Sequence, residues 1–439
     1  MDELRRVQIQ QITAAVAPRH CPLQVRGLAI AYSGGPDSTV LLHALAHAGH
    51  TCPVRAVHVC HNLQPAARAW VAHCREFCNR LGVAFTSLDV QVEPGGEGIE
   101  AAARRARYAA LGAELQAGEV LVLAQHANDQ AETFLLQALR GAGVAGLAAM
   151  PAHAPFADGH LWRPLLRVPR VAVLAYGETY ALPVVADPSN RDPQLERGYM
   201  RTQLWPALSR RWPQAATTLT RAAGWCAEAS ALVAEVAAAD LTQLQDAQQR
   251  IAVAPLQQLS RFRQGNVVRQ WLGVLGFDAP DHRHVDEILR LLQAREHAGP
   301  VVRWRNTEVR LFDAHLHAMR VLPPVPQGWC RQWQPAQDLL HLPPGCGQLR
   351  AEADGDLAQL ALAVRLRRGG ERYHDARRGG TRTLKAFLQE QRIAPWLRQR
   401  LPLIYHQGRL VAIADYWQDP ALAAQLRVRD LRFIWQRGA

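Results

Sequence analysis

Lysine is nearly missing from this chain. Of 50 basic residues among 439, only Lys385 is a lysine and the other 49 are arginine. A GC-rich coding bias produces that replacement without functional meaning, so what carries information is the position at which lysine is kept. Arginine nonetheless suits two-pronged phosphate contacts better than lysine does. Also lacking is any Cys-x-x-Cys pair among the eight cysteines, Cys21, Cys52, Cys60, Cys74, Cys78, Cys226, Cys330 and Cys346. That argues against a zinc ribbon or a disulfide framework. Cys74 and Cys78, four apart, read as two small buried residues on one helix face. No apolar run approaches the roughly 18 residues of a membrane helix. The polar start Met1-Asp2-Glu3-Leu4-Arg5-Arg6 has no apolar leader segment, so the expected location is cytoplasmic, with no membrane partner. Acidic residues are outnumbered, 38 to 50, for a net charge of +12, which favours a polyanionic partner.

Against these absences one stretch stands out, Leu28-Ala29-Ile30-Ala31-Tyr32-Ser33-Gly34-Gly35-Pro36-Asp37-Ser38-Thr39. A short apolar run, a glycine-containing loop and an apolar-periodic segment from Val40 to Ala48 predict strand, tight turn and helix. Two glycines let the backbone wrap closely around an anion. Ser38 and Thr39 fall near the helix start, where free N–H groups and the dipole favour phosphate. Asp37 would repel a phosphate unless a cation stood between them, which points to Mg²⁺ held by Asp37 and Ser38. The loop is neither Gly-x4-Gly-Lys-Ser/Thr nor Gly-x-Gly-x-x-Gly. It resembles the SGGxDS loop of ATP-pyrophosphatases, which split ATP into AMP and pyrophosphate, and so implies ATP-binding by Ser33, Gly34, Gly35, Pro36, Asp37 and Ser38.

The length calls for two or three domains. Strand and helix signals alternate from residue 28 to about 190: strands at 54–59, 83–90 and 120–124, helices at 66–81, 99–117 and 129–139. Alternation of this kind predicts a parallel sheet with helices on both faces, and ligands at the carboxyl ends of its strands. The loops after residues 32, 59 and 124 should then converge. From Trp205-Pro206 onward the pattern turns helical (214–245, 259–275, 284–294), ending in strand-like 301–304 and 308–311. Pro323-Pro324-Val325-Pro326 reads as a linker. Beyond it, residues 365 to 400 hold eleven basic side chains against three acidic ones. The expected domains are therefore 1–215, 216–322 and 323–439.

Three further segments bear chemistry. Gln125-His126-Ala127-Asn128-Asp129-Gln130-Ala131-Glu132-Thr133 follows a strand and opens a helix. There His126 is a candidate phosphate ligand, acid or base, and Asp129 a candidate cap or catalytic carboxylate. In Gly98 to Tyr108, Glu100, Arg104, Arg107 and Tyr108 share a helical face, either as a solvated salt-bridged helix or as part of the site. Asp187-Pro188-Ser189-Asn190 is a turn, followed by Arg197 and Arg201.

Together these segments resemble one family, the tRNA(Ile)-lysidine synthetases, nearly end to end. The carriers are SGGxDS, the strand end Val57-His58-Val59, Gly98-Ile99-Glu100 through Arg104, Arg107 and Tyr108, His126 to Thr133 with one slot shortened or shifted, and Asp187 to Asn190. Thr383-Leu384-Lys385 and Pro395-Trp396-Leu397-Arg398 match in the C-terminal region, and Lys385 falls where the family also favours lysine. Asn128 and Gly198 depart from the family pattern, as do Cys60 and Asn62.

The resemblance implies an α/β fold: an N-terminal Rossmann-like parallel sheet, then a helical domain and a small mixed α/β C-terminal domain. The implied partners are ATP with Mg²⁺, free L-lysine and the isoleucine tRNA with a CAU anticodon. The implied reaction adenylates the wobble cytidine, releases pyrophosphate, and lets lysine displace AMP at carbon 2. Asp37, His126, Asp129 and Arg104 would be catalytic. Glu100, Arg107, Asp187, Asn190 and Arg197 would bind substrate, and Arg367, Arg368, Arg382, Lys385 and Arg398 the tRNA. A tRNA thiolase or glutamine-fed synthetase is disfavoured by the missing Cys-x-x-Cys and glutaminase, a vestigial RNA-binder by the intact Asp37 and His126. The oligomeric state, a homodimer included, stays open.

Overall fold

The computed structural model describes residues 3–21, 25–61, 67–92, 99–185, 192–294, 299–335, 339–354, 357, 360–375, 379–422 and 429–437; at 99, 100 and 429 it describes backbone alone. Glu100's side chain, Asp187 and Asn190 thus lie outside the described residues. The chain divides into two compact units, Met1–Leu232 and Val233–Ala439.

The first unit is built on six strands, β1 (Gly27–Ala31), β2 (Val54–Cys60), β3 (Ala84–Asp89), β4 (Glu119–Val122), β5 (His153–Phe156) and β6 (Gly159–Trp162), in the order β3-β2-β1-β4-β6-β5. All neighbours are parallel except the β5–β6 hairpin. Successive strand side chains point to opposite faces, and the burial follows that period. Leu28, Ile30, Val120, Val122 and Trp162 pack beneath one set of helices. Ala29, Val57, Leu121, Leu123 and Leu161 face the other way.

The first face is covered by α1 (Glu3–Ala15), α2 (Pro36–Ala46) and α3 (Ala67–Leu81), the second by α4 (Ile99–Glu114) through Leu111. In α3, Cys74, Phe77 and Cys78 bury one face, as their spacing predicts, and burial pushes both thiols up, Cys74 to about 12 and Cys78 to about 11. The unit continues with α5 (Ala127–Leu139), α6 (Val144–Leu147), α7 (Arg170–Thr179), α8 (Glu196–Tyr199), a π turn at Met200–Leu204 and α9 (Trp205–Arg211). Tyr176 of α7 also joins the first face. β2 and β3 run one way from β1 while β4 and β6 lie on its other side. The strand order reverses between β1 and β4, and a crevice opens at their carboxyl ends.

Helix α10 (Ala215–Leu244) leads out of the first unit. It corrects the expectation about apolar runs: by length and composition it is apolar enough to cross a membrane, and its best 18-residue window is 11% buried. Alanines carry that hydropathy, and Arg221, Glu228, Glu235 and Asp240 interrupt it. One such helix is weak evidence for a span.

The second unit has two cores. One packs α10's end, β7 (Ile251–Ala252), α11 (Val253–Gln257), α12 (Arg261–Val274) and α13 (His282–Leu291) with β8 (Val301–Trp304), β9 (Thr307–Phe312) and β10 (His315–Arg320). Its sheet, β7-β10-β9-β8, is antiparallel, so this region is less purely helical than the sequence suggests.

The other core is mixed α/β, as expected. It holds the sheet of β11 (Cys330–Trp333), β14 (Leu362–Leu366), β17 (Pro402–His406), β18 (Arg409–Ile413) and β19 (Trp417–Gln418). A three-stranded sheet of β12 (Leu340–His341), β13 (Gln348–Asp354) and β20 (Arg429–Gln436) joins it, with the hairpin β15 (Arg372–Asp375)–β16 (Gly380–Thr383) and the short helices α14 (Leu384–Glu390) and α15 (Pro395–Arg398). The two cores meet where Trp396 packs against Phe312 and His317, ring centroids 5.7 and 5.1 Å apart, and Arg392 pairs with Asp313 at 3.0 Å.

Candidate functional site

The loop after β1 is clasped from within. Ser38 Oγ accepts from Ser33 N at 3.2 Å, lies 3.0 Å from Ser33 Oγ, and donates to Gly35 O at 3.1 Å. Thr39 Oγ1 donates to Gly35 O at 2.9 Å. Gly34 sits at φ +81°, and a Cβ there would meet Cys74 Sγ at 2.8 Å, so only glycine fits. Gly35 caps α2 with Pro36 first in the helix, where its missing N–H costs nothing. The first-turn N–H groups of Asp37 and Ser38 have no carbonyl four residues back within the helix and are left to an anion.

The loops converge as the sheet order requires. A crevice of about 650 Å³ is lined by Ser33, Gly35 to Ser38, Arg104, Arg107 and Tyr108 of α4, Gln125 to Asp129 save Ala127, Glu132, Arg170, Arg201, Trp70 and Trp205, among others. Helix α5 begins two residues earlier than the pattern predicts, with His126 as its cap. His126 Nδ1 accepts from Asp129 N at 3.4 Å while Asp129 Oδ2 accepts from His126 N at 3.0 Å. Asp129 is therefore a cap, and more than a cap. Arg201 donates to its Oδ1 at 2.7 Å and to Glu132 Oε1 and Oε2 at 2.9 and 3.1 Å.

Because Nδ1 accepts, the ring proton of neutral His126 sits on Nε2, which faces Asp37 Oδ1 at 3.6 Å. That separation is an ion pair and too long for a hydrogen bond. Burial works against the charged imidazole, but Asp37 and Asp129 outweigh it and hold His126 above its ordinary value. Burial likewise raises Asp37, yet His126, Arg170 and Arg201 together bring its carboxyl below the usual range. For Glu132 burial wins over Arg201, and its carboxyl is raised.

Other expected residues divide. Arg104 stacks on Tyr108, its guanidinium 4.8 Å from the ring centroid, and Arg107 donates to His61 at 3.2 Å; both line the crevice. His58 is a core residue whose Nδ1 meets Tyr32 O at 2.9 Å, and burial pushes it down. Arg197 is not among the lining residues and donates to Thr133 at 3.4 Å. Of the departures from the family pattern, the structure explains Gly198 and does not explain Asn128. Asn128 Oδ1 accepts from Arg170 N at 3.1 Å, a contact an aspartate would make equally well. At Gly198 a Cβ would fall 1.7 Å from Asp192 O, so the turn above it admits no side chain.

Sequence reasoning did not place Arg201, Glu132, Gln125 and Arg170 in the site, nor Arg163 behind Gln125. Arg201 had only its spacing after Asp187–Asn190 as a signal, and the π turn that aims it is a local departure typical of functional sites. Of the five C-terminal residues expected to touch tRNA, Arg382 pairs with Glu390 at 2.9 Å, Arg398 donates to Ile393 O at 2.7 Å and Arg368 to Gly328 O at 2.6 Å. Arg367 lies 3.9 Å from Glu371. Lys385 is exposed at the start of α14.

A parallel sheet whose switch point carries an SGGxDS loop defines an ATP-binding PP-loop domain, and a family model of that description matches residues 4–208. Models described as the TilS substrate binding domain and TilS substrate C-terminal domain match 251–317 and 362–435. A tRNA(Ile)-lysidine synthase from Alkalilimnicola ehrlichii is 44% identical over 89% of each chain. One from Xanthomonas campestris is 39% identical over 93% of this chain and 95% of that one, and one from Pseudomonas syringae 42% over 88% of each. The chain belongs to the tRNA(Ile)-lysidine synthase family. It is an ATP-dependent tRNA-modifying enzyme, as the sequence resemblance implied.

Proposed function

We propose that the chain joins free lysine to carbon 2 of the wobble cytidine in the CAU-anticodon isoleucine tRNA, acting in the cytoplasm. The observation that carries this is the anion loop beside a carboxylate cluster, Asp129 and Glu132 with Arg201 between them, in one crevice. In the first step the cytidine O2 attacks the α-phosphorus of ATP and pyrophosphate leaves. In the second the lysine amine attacks carbon 2, the carbon–oxygen bond breaks, AMP departs with that oxygen, and the ammonium proton goes to a base. An amide-like oxygen is a poor leaving group, which is why activation must precede displacement.

The loop N–H groups, with Arg104 and Arg107, carry the phosphate charge. His126, held toward its protonated form, adds to it. Asp129 and Glu132, held by Arg201, are the carboxylates that suit the substrate ammonium group. Mg²⁺ brought with ATP fits Asp37, whose Oδ1 is buried with no hydrogen-bond partner among the described residues. An ion held there would take one carboxylate from the protein and the rest of its oxygens from the phosphates. When bound, the ion neutralises phosphate charge; Ser38, whose hydroxyl clasps the loop, contributes less than its position suggests. In this reading residues 1–215 are catalytic, 216–322 bind substrate and 323–439 hold tRNA phosphates.

The test uses purified protein, ATP, Mg²⁺, labelled lysine and the tRNA transcript. Label entering RNA, and lost when the wobble cytidine becomes uridine, supports the reading. Pyrophosphate without label in RNA points to another nucleophile, and no pyrophosphate rejects it. For the C-terminal part, the aromatic contact at Trp396 makes deletion from residue 323 disruptive, so charge reversal is cleaner. Lys385→Glu with Arg372→Glu, both exposed, should weaken tRNA binding about tenfold at low salt and reduce the salt slope by roughly two. ATP affinity should hold. Unchanged tRNA affinity would remove this segment from the binding surface.

A further inference from the structure

Gln125 and Arg163 are not used by the reaction as described, yet the fold holds them together at the crevice. Gln125 follows β4 and Arg163 follows β6, neighbouring parallel strands, so both emerge at the same edge of the sheet. Arg163 is 8% exposed. Its Nη1 donates to Pro151 O at 2.8 Å, its Nε donates to Gln125 Oε1 at 3.0 Å, and the Tyr108 hydroxyl lies beside it. A guanidinium has donors only, so the atom it meets on Gln125 must be the carbonyl oxygen. That fixes the carboxamide: its oxygen is occupied, and the NH₂ group remains for whatever fills the crevice that Gln125 lines.

We propose that Gln125, clamped by Arg163, is a base-reading donor, its NH₂ donating to an unprotonated ring nitrogen of a nucleobase bound in the crevice. This rests on the reading of the crevice as the place where ATP meets the target cytidine. Cytosine offers such a nitrogen at N3, where uracil carries N–H; adenine offers one at N1, where hypoxanthine carries N–H. A fixed donor facing either N–H leaves two donors opposed in a partly dry site, and that mismatch is what rejects the wrong base. Arg163 is a positioning residue: without it the carboxamide can rotate and present its oxygen instead, which tolerates the N–H.

The experiment measures binding and needs no turnover. Full-length wild type, Gln125→Ala, Gln125→Glu and Arg163→Met are titrated with ATP and ITP, and with anticodon stem-loops carrying cytidine or uridine at the wobble position. Wild type should prefer ATP over ITP or cytidine over uridine by on the order of 10- to 100-fold. Gln125→Ala should erase that preference. Gln125→Glu, which offers acceptors only, should invert or flatten it, and Arg163→Met should reduce it part-way with Gln125 intact.

If the cytidine ratio changes, the base read is the target base; if the ATP ratio changes, it is adenine. Preferences that both Gln125 variants leave at the wild-type ratio overturn the proposal, as does a wild type with no preference at either base. Arg163 is buried, so its variant can misfold; the Gln125 pair decides the matter without it. A wild type that discriminates in binding but never incorporates lysine rejects the functional reading and leaves the base-reading donor standing.

Discussion

Replacing Asp37 with asparagine should cut pyrophosphate release on the order of 10³-fold while leaving tRNA affinity close to wild type. Asparagine keeps the shape of the helix start, so the loop clasp through Ser38 and Thr39 survives. What disappears is the negative charge at a buried oxygen that lies 3.6 Å from His126 and has no hydrogen-bond partner among the described residues. That charge is what fits a cation among the phosphates. It is also among the main reasons His126 sits above its ordinary value despite burial.

The substitution should therefore move His126 down from its raised position, as read from its NMR titration. The linked stability has a definite sign. His126 is raised, so its contribution is complete below the unfolded value and is lost as pH rises through the folded one. Asp37 is lowered, so its contribution holds above its unfolded value and is lost as pH falls through the folded one. The stability gap between wild type and Asp37→Asn should be widest at mildly acid pH and should narrow above the folded His126 value. Pyrophosphate release at the wild-type rate in the variant would sink the assignment of Asp37 to the phosphates.

The residues legible in advance were those whose role is written into adjacent backbone. Gly34 must take positive φ, Gly35 and Pro36 start a helix, and His126 with Asp129 starts another. Strand-to-helix transitions of this kind are local, so pattern and spacing reach them. Arg201 meets Asp129 and Glu132 across 72 and 69 residues, and Arg163 meets Gln125 across 38. No periodicity encodes such pairs; they follow only from which elements the fold brings side by side. The β5–β6 hairpin escaped because Pro155 interrupts a four-residue strand that sits at the sheet edge, where a missing N–H is tolerated. The internal partners of the basic C-terminal segment were equally out of reach. Counting arginines cannot tell that Arg382 and Arg398 are already engaged within the domain.

The same long-range triad yields the largest stability effect. Arg201→Met should lower the unfolding temperature of the first unit by roughly 10 °C, the consequence of leaving Glu132 and Asp129 buried without their cation. Their side chains are only 4% and 11% exposed, so water cannot substitute for the guanidinium. Glu132→Gln should cost far less, about 1 kcal/mol. Burial has already raised the Glu132 carboxyl, and a raised group contributes stability below its unfolded value that is lost as pH rises through its folded one. At neutral pH the ionised form is thus the strained member, and glutamine removes its charge. The double variant should recover most of what Arg201→Met loses, with a coupling of roughly 1–3 kcal/mol. The Arg201→Met defect should also shrink in acid, where Glu132 takes up its proton.

Activity should separate from stability in this series. Glu132→Gln, nearly as stable as wild type, should raise KM for lysine while KM for ATP stays put, if the carboxylate holds the ammonium as proposed. A double variant no more stable than Arg201→Met alone would show that the arginine acts through packing and not through charge. A Glu132→Gln enzyme with unchanged KM for lysine would move the amine to Asp129.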